Sequence, residues 1–302
     1  MGMTDNRRPG GILAPVATIF DEEGGLDRAA FAANLDRYAT SALDGVVLLG
    51  SNGEFATLDD AEREAVVETG VEAVAGRKVV MAGTGAESTR RTIAQTRHAA
   101  AAGVALVITP HYYKTRYDRA ALVRHYQTVA EASPIPTLVY VMAAYTGLDL
   151  ATPIIAELSR HPNIVGIKDS GGHAVKIAEM AATVEPGFSI LAGSANSLLA
   201  SLVLGATGGI LALGNVLPEA CKRLHQLFEA GDLDAARTLQ LRLMAPNAAV
   251  TTKYGIAGLK AAMEIAGYRG GFPRPPLLPL TEEELADVRA TFDAAGTIAV
   301  PA

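Results

Sequence analysis

Short apolar runs recur along this chain, each closed by turn residues and followed by a segment with helical spacing. They read "GILAPVATI" (11–19), "DGVVLLG" (44–50), "KVVMAG" (78–83), "GVALVIT" (103–109), "PTLVYVM" (136–142), "NIVGIK" (163–168), "FSILAG" (188–193) and "GGILAL" (208–213), which makes eight. Runs of this kind, rich in β-branched residues and bounded by Gly, Pro, Asn or Asp, are strand signals. They are apolar at successive positions, as in a parallel sheet covered by helices on its faces. Between them, "DDAEREAVVETGVEAVAG" (59–76) and "RRTIAQTRHAAAAG" (90–103) space their apolar residues three and four apart, which makes a helix face. Asp59, Ser88, Asp118 and Thr152 stand where helix N-caps are expected. Eight strand–helix units over about 200 residues are the pattern of a closed (β/α)8 barrel, the TIM type. A doubly wound open sheet shares the alternation and stays open as an alternative, because strand runs do not reveal closure.

After "GGILALGN" the pattern turns helical, with helices expected over 218–230, 232–244, 255–267 and 282–294. The expected organisation is therefore a barrel over 1–217 carrying the active site and a C-terminal helical domain over 218–302. The Pro-rich "GGFPRPPLLPL" (270–280) reads as a linker or arm before the last helix. A barrel with an appendage accounts for 302 residues, and 49% hydrophobic against 19% charged residues supply a large core.

Several function classes fall away. The net charge is −6 with both signs mixed, and no basic cluster extends beyond Arg7–Arg8, so no nucleic-acid partner is expected. Cys221 is the single cysteine, which forbids a disulfide within the chain and suits the cytoplasm. "MGMTDNRRPGG" lacks the apolar core of a signal peptide, Asn6 stands where a myristoylation signal needs Ser or Thr, and no apolar run is long enough for a membrane span. None of the six histidines has metal-ligand spacing with another, so neither a metal nor an organic cofactor is expected. "GTGAEST" (83–89) half-resembles a dinucleotide fingerprint, but Ser88 replaces its third glycine and the later acid is missing. It reads as a strand-to-helix turn capped by Ser88 or Thr89.

Active sites of such barrels lie at the C-terminal ends of the strands. Hydroxyls and amides gather there, and Lys168 is the one cation. A period of two puts Ile164, Gly166 and Lys168 on one face and Asp169 on the other. If that face lines the barrel, desolvation disfavours the charged amine, and a neutral amine is a Schiff-base nucleophile for a carbonyl substrate. A lysine snorkelling out at a strand end is the alternative. Tyr140, in "LVYVM", reads as a core tyrosine or as a proton shuttle beside the lysine. "GSNGE" (50–54) offers Ser51 and Asn52 as donors on a glycine-bounded turn, which is an anion site or a plain strand-to-helix connection.

These motifs, in this order, resemble the family of pyruvate-dependent class I lyases that includes dihydrodipicolinate synthase and N-acetylneuraminate lyase. The similar segments are "GSNGE", "GTGAEST", "TPHYY" (109–113), "VY" (139–140) and "GIKDSGG", and the likeness runs from Gly11 to about Pro276. Within the family, "GSNGEF", "SPIP", "TGLDL", "HPNIVGIKDSGG", "LAGSA", "PNAAVT" and "GIAGLK" are most similar to 4-hydroxy-2-oxoglutarate aldolase. The resemblance implies a Schiff base between Lys168 and pyruvate, with Tyr140 relaying protons. It implies that Ser51 links Tyr140 to Tyr112 of a neighbouring subunit, and that Ser51 and Asn52 hold the pyruvate carboxylate. The Ile210 carbonyl is expected near the lysine, and Ser170, Gly193, Ser194 and Tyr145 complete the expected substrate contacts. The implied assembly is a homotetramer, a dimer of dimers.

One loop departs from the family pattern. In "YVMAAYTG" Ala143 replaces a usual proline, Val141 a usually polar residue, and Tyr145 the arginine of dihydrodipicolinate synthase. Loss of that arginine argues against condensation with aspartate semialdehyde. The expected reaction is cleavage of 4-hydroxy-2-oxoglutarate to pyruvate and glyoxylate. The alternatives are an aldolase or dehydratase for 2-keto-3-deoxy sugar acids, then dihydrodipicolinate synthase itself, and outside enzymes a barrel that senses a 2-oxoacid.

Overall fold

The structure is a computed structural model that describes residues 9–296. The start of the polar N-terminus, with Asn6 and Arg7–Arg8, lies outside the described residues. Eight parallel strands close a barrel in sequence order: β1 (Gly11–Pro15), β2 (Gly45–Leu48), β3 (Val79–Gly83), β4 (Val104–Ile108), β5 (Thr137–Val141), β6 (Ile164–Asp169), β7 (Ser189–Ala192) and β8 (Gly208–Ile210). Closure excludes the open sheet. The seam between β1 and β8 passes through two glycines, and a Cβ at Gly208 would stand 2.0 Å from the Gly11 carbonyl oxygen.

Helices connect and cover the strands: α1 (Arg28–Thr40), α2 (Asp60–Val74), α3 (Thr89–His98), α4 (Arg119–Ala132), α5 (Ala143–Thr146), α6 (Thr152–Leu158), α7 (Ala174–Thr183) and α8 (Leu198–Val203). Four more follow the barrel: α9 (Pro218–Glu229), α10 (Leu233–Ala248), α11 (Gly255–Ile265) and α12 (Glu282–Ala295). The start of α2 is a capping box, in which Asp59 accepts from the Glu62 N–H and Glu62 from the Asp59 N–H. Ser88 and Asp118 cap α3 and α4 one way only, accepting from the Arg91 and Ala121 N–H groups. Thr152 does not cap. It is the first residue of α6 and spends its hydroxyl on Glu179, 2.9 Å away, while Ala151 holds the cap position without a side-chain bond.

Two layers of apolar packing hold the barrel. Leu13, Val47, Met81, Leu106, Leu138, Leu191 and Ile210 fill its interior. Each such side chain, fully buried, contributes about 1.5–3 kcal/mol. Outside, Val107, Val139, Ile167 and Ile190 face the helix layer. The helices after the barrel share a core with it, since Leu224, Leu259 and Phe292 lie in one apolar cluster with Ile12, Phe31 and Leu48.

Strand ends differ from the sequence reading. β1 stops at Pro15 although the apolar run continues to Ile19. Val16 keeps one ladder bond to the Val47 carbonyl, and Thr18 then leaves the sheet to donate to the Gly53 carbonyl at 2.7 Å. β8 stops at Ile210, because Ala212–Asn215 coil into a 3₁₀ turn whose Asn215 amide donates to Pro15 and Ala212 carbonyls. Ile164 is not on the face of Lys168. Thr137 pairs with Ile164 and Leu138 with Gly166, so Val165 is an extra residue in β6. This bulge turns Ile164 to the helix-facing cluster, while Val165 packs against the interior one.

Candidate active site

Lys168 sits where β6 reaches the mouth of the barrel, in register with Tyr140 of β5. It is 3% exposed, and its Nζ lies 4.3 Å from the centre of the Tyr140 ring. The snorkelling alternative is thereby excluded. Asp169 points to the opposite face, where Lys176 pairs with it at 2.6 Å and the Gly171 N–H donates to it at 2.9 Å. Strand alternation thus keeps the adjacent acid away from the lysine. Among the described residues no carboxylate forms an ion pair with Lys168.

Tyr140 is both a core residue and a site residue. Its ring belongs to the interior cluster with Leu106, Leu138 and Ile210, and its hydroxyl lies 3.2 Å from Ser51 Oγ. Its backbone is fixed as well. The Tyr140 carbonyl accepts from Thr109 N at 3.1 Å and from Thr109 Oγ1 at 3.2 Å. Thr109 Oγ1 is itself 2.8 Å from the buried Tyr126 hydroxyl, whose pKa burial raises against that hydrogen bond. Sequence reasoning missed Tyr126, whose only signal is a tyrosine on a helix face.

Ser51–Gly53 form one 3₁₀ turn directly after β2. The Gly53 and Glu54 N–H groups bond back to the Gly50 and Ser51 carbonyls. The Ser51 and Asn52 N–H groups are left at the turn's open end, as at the start of any helix. Leu49 and Glu54 bracket the turn with positive φ, 54° and 52°. Three expected side chains, Lys168, Tyr140 and Ser51, are thus brought together, with the half-buried Asn52 beside Ser51.

The other expected residues ring this centre. A Cβ at Gly193 would fall 2.0 Å from Ser170 Oγ, so glycine is what lets the ends of β6 and β7 meet. Ser194 caps a short turn, accepting from Asn196 N and from Asn247 Nδ2, both at 3.3 Å. The Ile210 side chain is fully buried in the interior cluster. Tyr145, on α5, is 63% exposed, yet its hydroxyl pKa is raised, first by burial and then by Tyr140.

Tyr112 stands apart. It is 74% exposed, and its ring meets the edge of Tyr113 at 4.9 Å between centres. Among the described residues of one chain, its hydroxyl does not meet Ser51 or Tyr140. Its loop is nevertheless anchored, because Glu87 accepts from the His111 N–H at 2.9 Å and the Tyr112 N–H at 2.7 Å. Among the described residues, no three His, Cys, Asp or Glu side chains are grouped to hold a metal ion, and no helix is long and apolar enough to cross a membrane.

A recessed amine at a barrel mouth, flanked by a phenol and a turn of donors, suits carbonyl chemistry on a small anionic substrate. Comparison with known proteins agrees. Residues 8–295 match the model of the dihydrodipicolinate synthetase family. A 4-hydroxy-tetrahydrodipicolinate synthase of Exiguobacterium sp. is 36% identical over 273 residues, covering 90% of this chain and 92% of that protein. A probable mitochondrial 4-hydroxy-2-oxoglutarate aldolase of Emericella nidulans is 36% identical over 289 residues, covering 93% of each. The crystal structure of YagE, a dihydrodipicolinic acid synthase family protein of E. coli K12 in complex with pyruvate, superimposes with a TM-score of 0.90. It is 31% identical, over 95% of this chain and 99% of that one. With nearly the whole chain matched in sequence and in fold, this protein belongs to the dihydrodipicolinate synthetase family and is a lyase.

Proposed function

We propose that the chain cleaves 4-hydroxy-2-oxoglutarate to pyruvate and glyoxylate through a Schiff base on Lys168. The observation that carries this reading is the convergence of the buried Lys168 amine, the Tyr140 phenol and the Ser51 hydroxyl, from three strands, at one end of the barrel. The amine attacks the C2 carbonyl, and water leaves as the imine forms. The protonated imine then draws the electrons of the C3–C4 bond, while the C4 hydroxyl proton passes to the Tyr140 oxygen as the phenol's own proton moves to Ser51 and from its hydroxyl to water, and glyoxylate departs. The enamine left behind takes a proton at C3, and water hydrolyses the imine to release pyruvate and the free amine. Ser51 and Asn52 N–H groups and hydroxyl hold the C1 carboxylate without bringing a cation near the amine. As a lyase, the protein does more than a barrel that only senses a 2-oxoacid.

Tyr145 bears on the second substrate. An uncharged phenol at the mouth offers a glyoxylate-sized group a hydrogen bond where an arginine would offer a full charge. We therefore place condensation with aspartate semialdehyde behind cleavage of a 4-hydroxy-2-oxoacid, and 2-keto-3-deoxy sugar acids between them. The test is a panel of 4-hydroxy-2-oxoacids and 2-keto-3-deoxy sugar acids, with pyruvate release read through lactate dehydrogenase. Aspartate semialdehyde with pyruvate is run beside it. Faster consumption of the semialdehyde than of any 4-hydroxy-2-oxoacid overturns the substrate assignment. Because the amine does the activating, EDTA should leave turnover unchanged. Loss of activity that zinc or magnesium restores would contradict the covalent route.

The reading also includes an assembly. "HYYKTRY" (111–117) carries Tyr112 and Tyr113 largely exposed, more ring surface than one solvated loop normally shows. Packing two such loops about a two-fold axis buries the rings and brings each Tyr112 hydroxyl to the other subunit's Ser51. We infer a homodimer at least, and a dimer of dimers by family likeness. Tyr112→Ala should weaken association and catalysis together, whereas Tyr112→Phe should lower catalysis alone. A fully active monomer seen by sedimentation at assay concentration refutes the shared site. A cytoplasmic setting belongs to the same proposal. It rests on a single cysteine, Cys221, buried with its thiol pushed up to about 12, first by burial and then by Glu219.

A further inference from the structure

We propose that the buried Glu54–Lys260 pair, backed by Arg274, is a positioning device for the Ser51–Asn52 turn. Through it the helical segment after the barrel sets the barrel's affinity for a 2-oxoacid. The inference rests on the reading of Ser51 and Asn52 as carboxylate donors.

Glu54 directly follows the Ser51–Gly53 turn and has φ 52°. A glutamate in the left-handed region is strained, and it persists only where its surroundings over-determine it. Here they come from the far end of the chain. Glu54 Oε2 accepts from Arg274 N at 2.8 Å. Glu54 Oε1 stands 2.7 Å from Lys260 Nζ, an ion contact rather than an aligned hydrogen bond. Lys260 Nζ bonds the Phe272 carbonyl at 2.5 Å instead, and it lies 4.6 Å from the centre of the Phe20 ring. The Arg274 guanidinium spans Glu62, at 2.6 and 2.8 Å, and the Thr57 carbonyl at 2.9 Å. From the barrel side, Thr18 holds the Gly53 carbonyl.

Both side chains of the pair are buried, and burial lowers the Lys260 pKa while Glu54 opposes that shift. Buried ion pairs are poor stabilisers, since apolar replacements are often as stable or more so. Their best-attested use is to fix a register. A pair that fixes φ two residues after Asn52 has such a use, because relaxing Glu54 re-aims the N–H groups of the turn. Neither residue would touch substrate. They act through Ser51 and Asn52.

The experiment uses the full chain. In Glu54→Gln/Lys260→Met both charges are removed, so no unpaired charge remains inside. In Glu54→Asp the charge stays but the carboxylate is withdrawn from its partners. Folding is checked by circular dichroism, and pyruvate binding is measured by calorimetry, whose apparent Kd includes imine formation on a Lys168 that both variants leave unchanged. Turnover of the preferred substrate gives KM and kcat. Pyruvate Kd and substrate KM should each rise about tenfold or more, the scale on which misplacement of a binding group by a fraction of an ångström acts, with kcat within a factor of about three. A folded variant of either kind that binds pyruvate as tightly as the parent protein shows the pair to be structural only, and one folded variant suffices to decide. Failure of the Schiff-base reading would show differently, as absence of a borohydride-trapped adduct in the parent protein itself.

Discussion

Borohydride added to the protein with pyruvate should leave one reduced adduct, on Lys168, and no turnover. Lys168 is buried beside the Tyr140 ring, and no carboxylate among the described residues pairs with it. Of the other lysines, Lys260 pairs with Glu54, Lys176 with Asp149 and Asp169, Lys222 with Asp44 and Lys253 with Asp287, while Lys78 and Lys114 donate to the Ser41 and Thr146 carbonyls. An ammonium held by a carboxylate is a poor nucleophile, because the pair favours the protonated form. Lys168→Ala should in turn lower turnover by on the order of 10⁴-fold or more, the scale of a lost covalent group in a cooperating set. Peptide mass spectrometry decides the point: no adduct, or one on Lys253 or Lys260, refutes the mechanism.

Tyr140→Phe comes second in size. The substitution keeps the ring that packs with Leu106 and Leu138 and removes only the oxygen that meets Ser51. Thermal stability should therefore change little, as one partly buried hydrogen bond contributes about 1 kcal/mol. Turnover should fall by roughly 10²-fold or more, the contribution of a positioned acid–base group. The Schiff base should still form, more slowly, so the adduct on Lys168 persists. An unchanged rate would return Tyr140 to packing alone.

The centres of the strands were legible because a parallel barrel buries both faces and so demands unbroken apolar runs such as "GVVL" and "VALVI". Their ends were less so. Apolar residues continue past Pro15 and Ile210, and partners elsewhere in the chain, Gly53 for Thr18 and Pro15 for Asn215, decide where the ladder stops. Thr152 looked like a cap and is not, because Glu179 of another helix competes for its hydroxyl. In the site, Lys168 was visible from position alone, as the one cation at a strand end. The contact of Ser51 with Tyr140 was reached through family likeness, since it joins β2 to β5 across the barrel. Glu54 closes the "GSNGE" turn in the sequence, but Lys260 and Arg274 reach it from a segment with no local sign of its destination.

The bulge in β6 bears on how this strand can change over generations. Val165 is the residue that the ladder does not count, since Ile164 already pairs with Thr137 and Gly166 with Leu138. Without it, ordinary alternation would still send Gly166 and Lys168 inward and Ile164 outward. Loss of a residue above it, such as Ile167, would instead slide the lysine out of step with Tyr140 and roll it toward the helices. Length drift by one residue is thus tolerable at the base of the strand and ruinous near its tip. The barrel floor can lengthen or shorten there while the reacting amine keeps its aim.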